Sequence, residues 1–86
     1  NINLLKSAAD LIKYHHLMYD GSCFPAEGLK KEAIPIGSRI ISLVEAVEDM
    51  RFSVYPEEKI RQTVESQKGI KFDPVIADIY LKIIET

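Results

Sequence analysis

Apolar residues in this chain recur every three or four positions in four separate runs, and that period confines the fold to packed helices. From Ile2 to about Leu17, the positions Leu4, Leu5, Ala8, Leu11, Ile12 and His15 share a face, while Lys6, Asp10 and Lys13 fall elsewhere. The spacing predicts an amphipathic helix closed by Asp20-Gly21, because glycine accepts the left-handed conformation at a helix end. Between Asp20 and Pro35, Gly21, Ser22, Pro25, Gly28 and Pro35 predict a loop of about fifteen residues, longer than most connections. Such a loop is either functional or a plain surface excursion, and length does not choose between them.

Helical spacing returns from Ile36 to Met50, with Ile36, Ile40, Leu43, Val44, Val47 and Met50 on one side. Pro56 suits the first position of a third helix, Glu57 and Glu58 complement its dipole, and Ile60 and Val64 supply its buried face. Gly69 is expected to stop it. Asp73-Pro74 then provides a cap followed by a first-turn proline for a fourth helix running to the end of the chain. Its apolar positions Val75, Ile76, Ile79, Tyr80, Ile83 and Ile84 cover more than one face, so it is expected to pack on two neighbours or on material outside this chain. The fold class is all-α, about four helices, with residues 1–86 forming one partial domain.

Composition removes several functions. A chain of 86 residues buries little of its surface, which argues against a large enclosed active site. A formal net charge of −2, with Lys30 and Lys31 as the densest basic site, excludes binding to a nucleic acid polymer. Cys23 is the only cysteine, so no internal disulfide or cysteine-rich metal site can form, and a reducing, cytoplasmic setting is expected. No apolar run reaches the roughly 18 residues of a membrane span, so no membrane insertion of this segment is expected. The chain opens on Asn1 within a helical pattern, which leads us to expect a missing N-terminal portion.

His15 and His16 are the only histidines. Neutral imidazole is a common transition-metal ligand, but neighbours on a helix diverge by about 100°, and two donors do not complete a metal site. From these residues alone, one core and one solvated histidine is the plainer reading.

The run Tyr14-His15-His16-Leu17-Met18-Tyr19-Asp20-Gly21-Ser22-Cys23-Phe24-Pro25 resembles the HD-GYP signature HHExxDGxGYP. The His pair, Asp20, Gly21 and Pro25 match, and Phe24 stands close to the tyrosine. The likeness continues in order through Gly28-Leu29-Lys30, Ile34-Pro35, Arg39-Ile40, Gly69 and Phe72-Asp73-Pro74, covering nearly the whole chain. It implies the C-terminal part of an HD-domain-like helical bundle, related to enzymes in which two or three iron or manganese ions activate water to cleave cyclic di-GMP. It also implies that His15 and His16 are metal ligands. Glu45 takes the place of a later ligand aspartate, one methylene longer, either as a displaced ligand or as an ordinary solvated carboxylate.

Departures cluster around that site. Leu17 replaces the signature glutamate, and Cys23 replaces a loop glycine where other residues are sterically restricted. Arg51 is the nearest cation to the family's basic phosphate-contacting segment, and the upstream ligands, including the His-Asp pair, have no counterpart here. The expected function is therefore a degenerate HD-GYP-like domain of a bacterial signalling protein. It would be noncatalytic, hold no metal as a segment alone, and engage a protein partner or missing N-terminal domain through Asp20, Gly21, Cys23, Phe24 and Pro25. The alternative is a metal-dependent phosphodiesterase acting on cyclic di-GMP and completed by an absent segment. A plain helical packing domain is a third reading. Surplus apolar surface on the last helix would point to a homodimer or lost partner.

Overall fold

The computed structural model describes residues 1–22 and 29–85. Four helices carry the fold: α1 (Ile2–Tyr14), α2 (Ile36–Phe52), α3 (Glu57–Ser66) and α4 (Pro74–Glu85), with a short 3-10 turn at Lys31–Ala33. Among the described residues, extended pairing is limited to one bridge between Lys68 and Phe72, so the class is all-α as expected.

The core gathers Leu43 and Val47 of α2, Ile60 and Val64 of α3, Phe72 of the α3–α4 turn, and Ala77 and Leu81 of α4. Each large member contributes roughly 1.5–3 kcal/mol by leaving water. The buried faces of α2, α3 and α4 thus follow their apolar periods.

Helix α1 departs from its expectation twice. Asn1 caps it, its Oδ1 accepting from the backbone N–H groups of Asn3 (2.8 Å) and Leu4 (3.3 Å). It ends at Tyr14, three residues before Leu17, because Leu17 and Tyr19 turn inward and are buried. The chain then leaves the helical ladder for a turn: Tyr19 N–H donates to the Lys71 carbonyl (3.2 Å) and Asp20 N–H to the Ile70 carbonyl (3.0 Å). Gly21, at φ +79°, belongs to that turn rather than to the helix end, and a Cβ there would fall 2.9 Å from Lys30 Cβ. The apolar face of α1 is also uncovered, with Leu4 and Leu5 each 69% exposed. What holds the helix is its C-terminal end. Ser38 Oγ, fully buried in the first turn of α2, donates to the Leu11 carbonyl at 2.7 Å. A Cβ on Gly37 would lie 2.8 Å from a Leu11 methyl, so a larger residue would force the Leu11 side chain to move.

The stripe expected on α2 splits in the same way: Leu43 and Val47 are buried, whereas Ile36, Ile40 and Val44 are about half exposed or more. Together with Ile79 and Ile83 of α4 they line an apolar groove of about 320 Å³, because α4 crosses only the Leu43–Val47 side of α2. The surplus on α4 read from the sequence therefore faces outward. No helix among the described residues is long and apolar enough to cross a membrane.

Helix α2 closes with the two reverse hydrogen bonds of a Schellman end, Tyr55 N–H to the Met50 carbonyl (3.0 Å) and Val54 N–H to the Arg51 carbonyl (2.9 Å). That geometry puts Val54 at φ +61°, where glycine is favoured and a β-branched residue is strained. The valine side chain is exposed, so it gains little in return. Val54→Gly is expected to stabilise the domain by about 1 kcal/mol, the left-handed penalty less the glycine entropy cost. A urea midpoint that falls in this variant would refute the assignment of strain.

The α3 boundaries lie one residue inside Pro56 and three short of Gly69, which instead shapes the next turn at φ +80°. Helix α4 begins as expected: Asp73 Oδ1 accepts from Val75 N–H (2.8 Å) and Ile76 N–H (3.1 Å). Its other oxygen meets Arg39 Nη1 at 2.6 Å, and Arg39 Nε donates to the Ile34 carbonyl at 2.9 Å. One buried carboxylate thus ties α4, α2 and the loop before α2. Burial alone would raise its pKa, but Arg39 and the two capping amides outweigh that and hold it below the ordinary carboxylate value.

Candidate metal site

Docking of α1 through Leu11 sets where its end points. Ser38, Ser42, Glu45 and Asp49 follow one another at three- and four-residue spacing, so they form a stripe along α2. Ser38 anchors α1, and the other three line a cavity of about 280 Å³ together with His15 and His16. The obstacle posed by adjacent helical residues disappears because His15 is the C-cap of α1 and His16 already lies beyond the helix. Their ring centroids come within 3.8 Å.

His15 is nine-tenths buried, and its Nδ1 contacts the Ile12 carbonyl. A carbonyl can only accept, so Nδ1 carries a proton, and in the neutral tautomer the ring presents a lone pair at Nε2. That lone pair faces Glu45 Oε2 at 2.9 Å, and a carboxylate is also an acceptor. Two acceptors at this distance need a cation to reconcile them, either a second proton on the imidazole or a metal ion. Two donors each about 2.1 Å from one ion and at right angles are about 3 Å apart, so the observed separation suits shared coordination. With His16 added, donor atoms of all three side chains lie within 4.8 Å of one another. Two imidazoles and a carboxylate are an established donor set for divalent transition metals, and the Ile12 contact is the outer support such ligands usually have. The residues fit a metal.

Among the family models compared with this chain, that of the HD domain matches residues 1–76. The chain belongs to the HD domain family. It is 28% identical over 88 residues to a cyclic di-GMP phosphodiesterase of Thermotoga maritima, covering 96% of this chain and 24% of the relative. A probable cyclic di-GMP phosphodiesterase of Vibrio cholerae is 30% identical over 83 residues, covering 91% and 19%. A 3'3'-cGAMP-specific phosphodiesterase 2 of the same organism is 27% identical over 84 residues, covering 92% and 16%. The HD-domain chain thus spans about a quarter or less of these relatives. No solved structure matches it.

Other sequence-derived candidates of this HD domain stand apart from the triad. Asp20 accepts from Ser22 N–H at 2.9 Å, and the contact with Ser22 holds its carboxyl below the ordinary value; it shapes the turn at Gly21. Cys23, Phe24 and Pro25 lie outside the described residues. Arg51 is held by Glu57 (3.2 Å), Glu48 (3.3 Å) and the Tyr80 hydroxyl (3.3 Å), beside a different cavity that includes Glu58. Leu17, at the signature glutamate position, is buried. Ser42, Asp49 and Lys71 line the triad cavity but were not singled out from the sequence. Helical spacing around Glu45 signals the first two, whereas Lys71 arrives from a turn 26 residues later with no local signal.

Proposed function

We propose that His15, His16 and Glu45 hold a divalent metal, iron or manganese, in a phosphodiesterase site that acts on a cyclic dinucleotide. The observation that carries this reading is the convergence of His15, His16 and Glu45, whose donor atoms lie within 4.8 Å of one another, with His15 Nε2 at 2.9 Å from Glu45 Oε2. When bound, such an ion polarises a phosphoryl oxygen and eases ionisation of water near neutral pH. The chain's own contribution is positional. Ile12 fixes the His15 ring, Ser38 fixes the end of α1 against α2, and Glu45 supplies an anionic oxygen two turns along α2 from Ser38. Three protein donors leave coordination positions for substrate, as catalytic metal sites require. The reading places residues 1–86 as part of a larger catalytic unit in the cytoplasm, and it gives Glu45 the ligand role.

The test is incubation of the full-length protein with manganese and cyclic di-GMP, following linear dinucleotide and mononucleotide products. Cleavage that disappears in His16→Ala supports the reading. Cleavage undiminished in that variant excludes the triad.

A second reading, a noncatalytic regulatory module, is favoured by Leu17 and Arg51. The first puts buried hydrocarbon where the signature has a carboxylate, and the second has its guanidinium committed to Glu48 and Glu57. This version places the interaction surface at Asp20 to Pro25 and admits a homodimer.

A further inference from the structure

We propose that Lys71 grips the substrate phosphate beside the metal triad, and that the ligand runs on past it into a neighbouring cavity. This rests on the metal-site reading above. A cationic side chain beside a metal centre helps to offset the charge of a bound phosphodiester, and the sequence pointed to Arg51. The structure gives that guanidinium to Glu48, Glu57 and Tyr80, away from the triad. Lys71 is the one lysine or arginine among the described residues lining the triad cavity.

Lys71 is built for such a role. Its main chain is pinned on both sides, the carbonyl accepting from Tyr19 N–H (3.2 Å) and the N–H donating to the Gln67 carbonyl (3.1 Å). Its side chain is exposed, with the ammonium 5.6 Å from the centre of the Phe72 ring and no carboxylate partner among the described residues. A fixed root and an uncommitted ammonium allow the group to swing onto an anion at little cost.

The triad cavity, about 280 Å³, lies at the lower limit of small-molecule sites, which run from about 300 to 1,000 Å³. A cavity of about 530 Å³ adjoins it and shares Ala46, Asp49 and Lys71 as its wall. Beyond that wall stand Lys59, Tyr55 and Gln67, the ammonium of Lys59 lying 5.0 Å from the Tyr55 ring centre. A second cation, an aromatic face and an amide match a second phosphate and a nucleobase, so a ligand with two nucleotide units fits better than a simple phosphate ester. Asp49 on the shared wall repels phosphate and faces base N–H groups favourably.

The test is equilibrium binding of cyclic di-GMP to manganese-loaded full-length protein, with the metal content of every variant measured. Lys71→Gln is expected to keep its manganese and weaken binding by about tenfold or more, a loss that shrinks as salt rises. Lys71→Arg should restore most of the affinity and Arg51→Gln should change it by less than about twofold. Unchanged binding in Lys71→Gln overturns the proposal, as does loss of manganese in that variant. Parent protein that holds manganese but binds no cyclic di-GMP overturns it while sparing the metal site. Parent protein without manganese overturns both.

Discussion

Replacing His15 with alanine is expected to strip the site of metal, lowering its affinity by at least about 100-fold, more than loss of an outer-sphere partner costs. The residue combines two functions that no other side chain there duplicates. Its Nδ1–H is committed to the Ile12 carbonyl, which orients the ring, and its Nε2 lone pair faces Glu45. Glu45→Gln should also release metal, because an amide keeps an oxygen donor but not the charge that offsets the ion. Glu45→Asp should retain part of the affinity, since it restores the aspartate of the resembled motif at the cost of one methylene of reach. Elemental analysis of protein purified without chelator measures all three. Parent-like metal content in His15→Ala would end the assignment of this residue as a ligand, whatever the activity.

Asp73→Ala is expected to be among the most destabilising single changes in the domain, at about 3–5 kcal/mol. It removes the cap of α4 and strands the Arg39 guanidinium, only 14% exposed, without its carboxylate. A small domain has roughly 5–15 kcal/mol in total, so this variant should be close to unfolding at room temperature. Asp73→Asn can keep the cap and forfeits mainly the charge, so it should fall between parent and alanine in urea titration. Equal stability of parent and alanine variant would refute this role. The depressed Asp73 pKa adds a pH signature. A carboxylate whose folded value lies below its unfolded value of about 3.9 contributes fully above that pH and loses its contribution as pH falls through the folded value. The Asp73 contribution should therefore be flat from pH 7 to about 5 and decline below about 4, a decline absent from Asp73→Asn. Asp20, only partly buried, acts in the same direction but weakly.

Where backbone chemistry is local, the sequence was an adequate guide. Pro35 precedes α2, Pro56 precedes α3, and Asp73-Pro74 starts α4, because caps and first-turn prolines act within a few residues. The end of α1 was misplaced because it is decided from afar, by Leu17 and Tyr19 entering the core and by hydrogen bonds to Ile70 and Lys71. Periodicity identified the apolar faces of α1 and α2 but not which parts would be covered. The Arg39–Asp73 pair was equally hidden: both residues were visible as motif members, yet they are 34 positions apart. At the candidate site, the His pair and Glu45 were legible through the motif, whereas their convergence depends on where α1 stops and on Gly37 and Ser38 admitting its end.

The uncovered faces of α1, α2 and α4 bear on the heat capacity of unfolding. For 86 residues, ordinary globular packing would give an increment of roughly 1.0–1.3 kcal/mol/K. Here Leu4, Leu5, Ile12, Ile36, Val44, Val75 and Ile83 are already more than half hydrated in the folded state, so unfolding adds less new apolar hydration than chain length implies. The increment is correspondingly smaller and the stability curve of this chain flatter, with less curvature on either side of its maximum. A partner that covered those faces would carry the missing heat capacity with it, as a negative increment on association.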